Sequence, residues 1–396
     1  MQDEQNKPDE PANQDQPHRR RKRYGGTHPK RFEQKYKEHD PHAYPQLHDK
    51  LRAKGKTPAG THVPVLRREV MALLRPLAGE VVADCTLGYG GHAAEFLRRI
   101  APGGRVVGFD VDGDQIERTR QRLEELCAQI GMMDTAKSQA MTADPAKSQA
   151  MTDPAVGGKS RLLSIHRANF AGIGNYLAQE GLEGYDIIFA DLGVSSMQVD
   201  DPSRGISYRA EGPLDMRMDS RLQRTGADLL ATLDEKELST ALWELSDEED
   251  HAKLAQWIVA QRQVAPIETT GQLVRLILNA KGYSPRSRHK PDWEVPGGLH
   301  PAAKTFQALR ILVNDELGSL RALLRTAPYI LRPGGRLGII SFHSGEDRLV
   351  KRSFRELQEQ GVYESISDEV IRPGQSEVNS NPRSSSAKFR WARKGR

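Results

Sequence analysis

The stretch VVADCTLGYGGHAAEFL, Val81 to Leu97, reads as a buried strand, a glycine-rich turn and a helix. Val81, Val82 and Ala83 make the apolar run, Gly88, Gly90 and Gly91 break it, and Ala93, Ala94, Phe96 and Leu97 resume at helical spacing. Such a turn lets a ligand approach the backbone closely and meet the positive end of the helix dipole. No lysine follows Gly91 as a P-loop requires, which weighs against ATP or GTP hydrolysis. The dinucleotide pattern Gly-x-Gly-x-x-Gly is met in Gly88-Tyr89-Gly90-Gly91-His92-Ala93 with alanine at its last place, a change that some dinucleotide folds accept. The turn alone leaves its ligand open.

Outward from the turn, strands and helices alternate. Arg105–Phe109 is an apolar run closing on Asp110, about twenty residues beyond the glycines, where an acid accepts hydrogen bonds from a ribose diol. Asp112 or Asp114 is better placed to cap a helix over Gly113–Ile130. Leu162–His166 forms a short strand followed by Asn169-Phe170, and Tyr185–Ala190 a buried strand ending at Asp191. Phe306, Leu309, Val313, Leu317 and Leu320 recur at steps of three and four, one face of a long helix. Leu331–Arg336 makes a turn and Leu337–Phe342 the last buried strand. Continuously apolar strands alternating with helices predict an α/β fold, a doubly wound, mostly parallel sheet covered on both faces. Ligands bind such sheets outside the carboxyl ends of the strands, and Asp84, Asp110, Phe170, Asp191 and His343 map there.

Two regions depart from this pattern. Residues 1–55 are polar, charged and poor in aliphatics, which predicts a disordered basic tail, with the run His18-Arg19-Arg20-Arg21-Lys22-Arg23 suited to nucleic-acid phosphate or simply solvated. Residues 200–300 carry helical patterns near Ala227–Leu245, His251–Gln263 and Thr270–Leu278, then a polar Pro/Gly-rich stretch, as an inserted helical domain would. The unit AKSQAMT occurs at Ala136–Thr142 and again at Ala146–Thr152, a duplication suited to a mobile surface insertion.

The 396 residues allow about two to three domains, and no run reaches the roughly eighteen apolar residues a membrane span needs. The polar amino terminus shows no secretory signal. The cysteines Cys85 and Cys127 give neither a disulfide framework nor metal-ligand spacing, so no metal is expected and a cytoplasmic setting fits. A net charge of +5 permits an anionic partner without demanding one.

Leu331-Arg332-Pro333-Gly334-Gly335 before a buried strand resembles the element that precedes the fifth strand of class I methyltransferases, a Rossmann-like fold. Asp191 then stands where those enzymes receive the acceptor group. The stretches HVPVL (His62–Leu66), DCTLGYGGH (Asp84–His92), DLGVSSMQVDDPSRGISY (Asp191–Tyr208), GPLDMRMD (Gly212–Asp219), HPAAKTFQALRILVNDEL (His300–Leu317), SFHSGEDRLVK (Ser341–Lys351) and NPRSSSAK (Asn381–Lys388) together resemble the ribosomal RNA small subunit methyltransferase H family. GPLDMRMD and the HPAAKTFQALRILVNDEL block carry most of that specificity.

The resemblance implies S-adenosylmethionine as methyl donor and N4 of a cytidine in 16S rRNA, near the decoding centre, as acceptor, so that the partner is 16S rRNA or the small ribosomal subunit. It implies a methyltransferase domain over 56–199 and 301–396, with 200–300 inserted for RNA recognition. It places Gly90, Gly91, His92, Asp110, Phe170, Asp191 and Gln198 at the donor, with Asp191 also the catalytic candidate. Arg204, Tyr208, Arg217, Arg348, Lys351 and Arg383, with Arg209, Arg352 and Lys388, are candidate RNA contacts, and His343 a candidate proton relay. DNA amino-methyltransferases usually carry Asn/Asp/Ser-Pro-Pro-aromatic where this chain has Asp191-Leu192-Gly193-Val194, which argues against a DNA substrate. An oxidoreductase using NAD, a methyltransferase acting on another nucleic-acid amine and a noncatalytic RNA-binding assembly factor are the rival readings.

Overall fold

The computed structural model describes residues 64–141, 162–283 and 299–396. The basic run and the second AKSQAMT copy lie outside them. In chain order, α1 (Arg67–Leu74) leads into β1 (Val81–Asp84), α2 (Gly91–Ile100), β2 (Arg105–Asp110) and α3 (Gly113–Met141). There follow β3 (Leu163–Arg167), α4 (Tyr176–Glu180), β4 (Tyr185–Asp191) and α5 (Ser196–Asp200). A helical stretch comprises α6 (Gly226–Thr232), α7 (Glu235–Ser246), α8 (His251–Val264), α9 (Thr270–Ala280), α10 (Ala303–Asn314) and α11 (Glu316–Ile330). The chain closes with β5 (Leu331–Ser341), α12 (Ser344–Glu359), β6 (Tyr363–Ile366), α13 (Gln375–Ser380) and β7 (Lys388–Lys394).

The strands form a 7-stranded sheet in the order β3-β2-β1-β4-β5-β7-β6. β1 to β5 run parallel and β7 lies antiparallel to both β5 and β6. β1 is buried at all its positions because helices cover both of its faces. On one face Phe96 and Leu97 of α2, Val70 and Leu74 of α1 and Leu123 of α3 pack on Val82 and Ile187. On the other, Leu320 and Leu323 of α11 and Val350 and Phe354 of α12 pack on Ala83, Val107 and Ile188. Each such apolar side chain contributes roughly 1.5–3 kcal/mol by leaving water.

Four features differ from the sequence reading. The expected turn at Leu331–Arg336 is part of β5: pairing jumps from Tyr185 with Leu331 to Ile187 with Arg336, so Pro333-Gly334-Gly335 sits in a bulge that needs no donated ladder hydrogen bond. The long helix expected through Phe306 and Leu320 is two helices, broken where Asp315 adopts φ 47 and ψ 46. The pattern over Ala227–Leu245 also divides, because Asp234 caps α7 in a capping box with Glu237. Finally, β5 is not the last strand, since β6 and β7 extend the sheet.

α6 to α10 share a separate apolar cluster in which Leu230, Leu242, Leu254, Ile258, Leu273 and Ile277 meet Phe306, Leu309 and Val313. α10 therefore packs with the helical layer, although a division at residue 300 assigns it to the sheet. The first AKSQAMT copy continues α3 as far as Met141. Among the described residues no helix is long and apolar enough to cross a membrane.

Candidate active site

The order of the sheet reverses between β1 and its neighbours β2 and β4, and the carboxyl ends of those strands open a crevice there. A cavity of about 390 Å³ fills it, walled by Asp84, Gly88, Asp110, Phe170, Asp191 and Gln198 and closed over by Met218, Leu222, Arg310 and Asn314 from the helical side. Its size suits a small-molecule ligand.

The turn after β1 holds Gly88 at φ +47 and Gly90 at φ +64, left-handed backbone that glycine adopts without strain. Gly88, Gly91 and His92 line the cavity, whereas Gly90 does not. A Cβ on Gly90 would come within 2.9 Å of Leu123 and Thr119, so its role is close packing of the turn on α3. Thr119 fixes the same turn by donating its hydroxyl to the Gly88 carbonyl at 2.6 Å.

Asp110 closes β2 and ties the turn to the strand. Its carboxylate accepts the Gly88 N–H at 2.7 Å through Oδ2 and the Asp112 N–H at 2.9 Å through Oδ1. The carboxylate keeps acceptor capacity for a ligand hydroxyl. Burial raises its pKa despite the backbone N–H donors of Asp112, Gly88 and Val111. Phe170 enters the wall because Asn169 caps the short 3₁₀ helix Phe170–Asn175, accepting the Ala171 N–H and donating to Ser319 Oγ at 2.9 Å. Gln198 is held twice, by the Ser195 N–H and by its own donation to Asp112 Oδ2 at 2.9 Å. Ser195 in turn accepts from Gln115 at 2.8 Å, so the loops after β2 and β4 are linked across the cavity.

Asp191 stands in the wall at the end of β4. Its N–H donates to Thr86 Oγ1 at 2.6 Å, its Oδ2 lies 3.7 Å from His92 Nδ1, and its Oδ1 is buried without a protein partner. Burial first, then the charges of Asp84, Glu346 and Glu377, lifts its pKa well above the carboxylate range. Asp84 is pushed up to about 7 by burial, against the Thr86 N–H it accepts. Glu346, at the start of α12, behaves oppositely: burial opposes its ionisation, but the neighbouring His343 imidazole, the Phe342 N–H and Arg310 outweigh it and hold the pKa low. His343 itself does not line the cavity; its Nε2 lies 3.3 Å from Glu346 Oε1. Glu346, Gln115, Asn169, Ser195 and Arg310 belong to the wall without having been singled out as site residues from the sequence.

The candidate RNA contacts separate into groups. Arg383 lines the cavity and pairs with Asp200 at 2.7 Å. Arg204 is engaged by Asp112 at 3.0 Å and Asp114 at 3.4 Å, and Arg217 clasps Asp215 and the Leu222 carbonyl. Tyr208 stacks on His300 with ring centroids 4.5 Å apart and meets Phe306 edge-on, and the Arg209 guanidinium lies over its ring. Lys388 lies 3.9 Å from Asp347. Arg348, Lys351 and Arg352 stand together on the exposed face of α12.

Residues 59–395 match the MraW methylase family. The chain is 39% identical to "Ribosomal RNA small subunit methyltransferase H 1" of Lachnoclostridium phytofermentans, over 96% of this chain and 94% of that one. It is 38% identical to "Ribosomal RNA small subunit methyltransferase H 2" of Alkaliphilus metalliredigens, over 96% and 99% respectively. A relative from Sorangium cellulosum, "Ribosomal RNA small subunit methyltransferase H", is 40% identical over 84% of this chain and 90% of its own length.

Proposed function

The chain belongs to the MraW methylase family, and from that premise we propose that it transfers the methyl group of S-adenosylmethionine to N4 of a cytidine in 16S rRNA, on a class I methyltransferase fold. The observation that carries the reading is the buried, unpartnered Oδ1 of Asp191 in a wall that also holds Asp84 and Asp110. Carboxylates crowded at a glycine turn repel a pyrophosphate and suit a ligand that is itself cationic. S-adenosylmethionine meets this condition with a sulfonium and an ammonium group, and dinucleotides do not.

The residues present fit that donor. Asp110 keeps acceptor capacity for a ribose diol, Phe170 offers an apolar face for the adenine, and Gly88, Gly91 and His92 form the cradle for the amino-acid end. Gln198 holds the loop that completes the wall. When bound, the donor supplies an electrophilic methyl group.

The chain supplies position and a proton acceptor. The exocyclic amine of cytosine is a poor nucleophile because its lone pair is delocalised into the ring. Holding it in line for attack supplies roughly 7–11 kcal/mol of the barrier. The Asp191 carboxylate accepts the N4–H and stabilises the positive charge that grows on nitrogen during transfer. Raised as its pKa is, Asp191 gains its accepting, ionised form as pH increases, so kcat rises with pH until that group has titrated. The base must be unstacked to reach the cavity, which favours a loop or single-stranded site in the rRNA. Cys85 and Cys127, buried and in no disulfide, are in keeping with a cytoplasmic enzyme.

Tritiated-methyl transfer to small ribosomal subunits and calorimetry with S-adenosylhomocysteine test this together. Asp110→Ala should lose donor affinity roughly tenfold or more, the scale of a hydrogen bond to a charged group. Asp191→Asn should lose transfer by about 10²–10⁴-fold, the usual scale for a proton acceptor. Displacement of S-adenosylhomocysteine by NADH, or no methyl in the wild-type product, would sink the reading.

A further inference from the structure

We propose that Arg310 recognises the acceptor base, reading the adjacent N3 and O2 acceptors of cytosine while N4 faces Asp191. The inference rests on the methyl-transfer reading above and assigns the half of the cavity that the donor residues leave open.

Arg310 projects from α10 into the cavity wall, which among the described residues contains only one other Arg or Lys, Arg383 at the rim. Its side chain is 14% exposed, against 38% for Arg383. Glu316 holds one edge of the guanidinium, accepting from Nε at 2.8 Å and from Nη2 at 2.9 Å. That edge-on clasp fixes the plane and uses two of the five N–H donors. Among the described residues Nη1 donates to no protein acceptor, and it is not one of the buried polar atoms left unpartnered. The cavity is its outlet. The edge formed by Nη1 and the second N–H of Nη2 is thus a rigid fork that no acceptor among the described residues fills.

Arg310, Glu346 and Asp191 line the same cavity. Arg310 feels the charge of Glu346, and Glu346 also raises Asp191, so the three groups share one electrostatic neighbourhood. Burying an arginine–glutamate pair is seldom worth its desolvation for stability alone. A pair that presents two parallel donors to a cavity has a further use.

Cytosine offers two neighbouring acceptors, N3 and O2, next to the N4 amine. Uracil places an N–H donor at N3, which would oppose the guanidinium. A flipped base is read on this Watson–Crick edge. Two donors from Arg310 and one acceptor from Asp191 match the acceptor-acceptor-donor order of cytosine.

The test uses small subunits reconstituted with 16S rRNA that carries cytidine or 3-deazacytidine at the methylated position. The 3-deaza base keeps N4 and O2 and replaces the N3 acceptor with C–H. Wild-type enzyme should lose roughly 10- to 150-fold in kcat/KM on the deaza substrate, the scale of one charge-assisted hydrogen bond. The double variant Arg310→Met with Glu316→Gln removes both buried charges and should lose at least as much on cytidine. On 3-deazacytidine that variant should show little additional loss. Its affinity for S-adenosylhomocysteine should stay within about threefold of wild type. Arg310→Lys guards against misfolding, since it keeps charge and bulk yet lacks the fork; it should retain the wild-type melting temperature and lose kcat/KM. Variants that transfer within threefold of wild type, losses that multiply, or an equal loss of donor affinity would each overturn the assignment. Absence of transfer by the wild type to cytidine would instead defeat the functional reading beneath it.

Discussion

Asp84 shows how one carboxyl group sets the pH response of the donor-free protein. It is 1% exposed at the end of β1, with Oδ1 3.2 Å from the Thr86 N–H it accepts and a pKa pushed up to about 7 by burial. An aspartate in the unfolded chain titrates near 3.9. Between about pH 4 and 7 the native state therefore binds the proton more tightly, and stability falls as pH rises through that window. At about 1.4 kcal/mol per unit of pKa difference, the loss approaches roughly 4 kcal/mol above pH 7. An asparagine side chain at this position could accept the same Thr86 N–H without ever ionising. Asp84→Asn should melt higher than wild type at pH 8, with the gap closing toward pH 4, as read by thermal unfolding without donor. A gap independent of pH would mean that Asp84 does not titrate in this window. The sequence places this residue at a strand end but says nothing of its titration, which depends on the helices stacked on both faces of β1.

At the scale of elements, the glycine turn separates two roles that look alike in the sequence. Gly88 faces the cavity, and a Cβ there would meet nothing nearer than 3.8 Å. Gly90 faces α3, where a Cβ would press on Leu123 and Thr119 at 2.9 Å. Gly90→Ala combines left-handed strain with overpacking and should cost about 2–4 kcal/mol of stability. Gly88→Ala carries only the strain, about 1–2 kcal/mol, while its methyl enters the cavity at the proposed donor cradle. Calorimetry with S-adenosylhomocysteine alongside thermal melts should find the larger affinity loss in Gly88→Ala and the larger stability loss in Gly90→Ala; the reverse ranking would contradict this division. The parallel strands β1, β2, β4 and β5 were legible because each contains a continuous apolar run, whereas β3 alternates. β7 was not, because Arg390 and Arg393 interrupt its pattern, and only the fold shows Asp347 2.6 Å from Arg390 and Glu364 3.0 Å from Arg393. The break at Asp315 escaped for a similar reason: the apolar face continues at the same spacing on both sides of it. Cavity-lining candidates at strand ends were legible from topology, whereas Arg310 and Glu346 lie within helices, where spacing cannot tell a cavity-facing charge from a solvated one.

Over the whole molecule, charge of opposite sign is sorted into two places. The net charge is only +5, yet the cavity wall gathers Asp84, Asp110, Asp191, Asp219, Glu316 and Glu346 against two arginines. Outside, α12 starts at that wall with Phe342 and Glu346 just before and within its first turn, and then exposes Arg348, Lys351, Arg352 and Arg355 at the i, i+3, i+4, i+7 positions of one face. Their carboxylate neighbours are remote or exposed: Asp247 lies 3.4 Å from Arg348, and Glu356 3.8 Å from Arg352. At 1.5 Å per residue the stripe spans about 10 Å, enough for two phosphates of one strand once side-chain reach is added. An acidic interior suits a cationic donor and a basic ridge leading to it suits a polyanion, so the two ligands need not compete electrostatically. Replacing all four cations by serine should leave S-adenosylhomocysteine affinity unchanged. It should also weaken binding of a 16S rRNA fragment and flatten the dependence of log affinity on log salt by about 1–3, at roughly 0.7–0.9 for each phosphate no longer neutralised. Fluorescence anisotropy between about 50 and 200 mM salt reads this directly. Parallel salt lines for wild type and variant would mean that the ridge is solvated surface and that the rRNA backbone crosses the protein elsewhere.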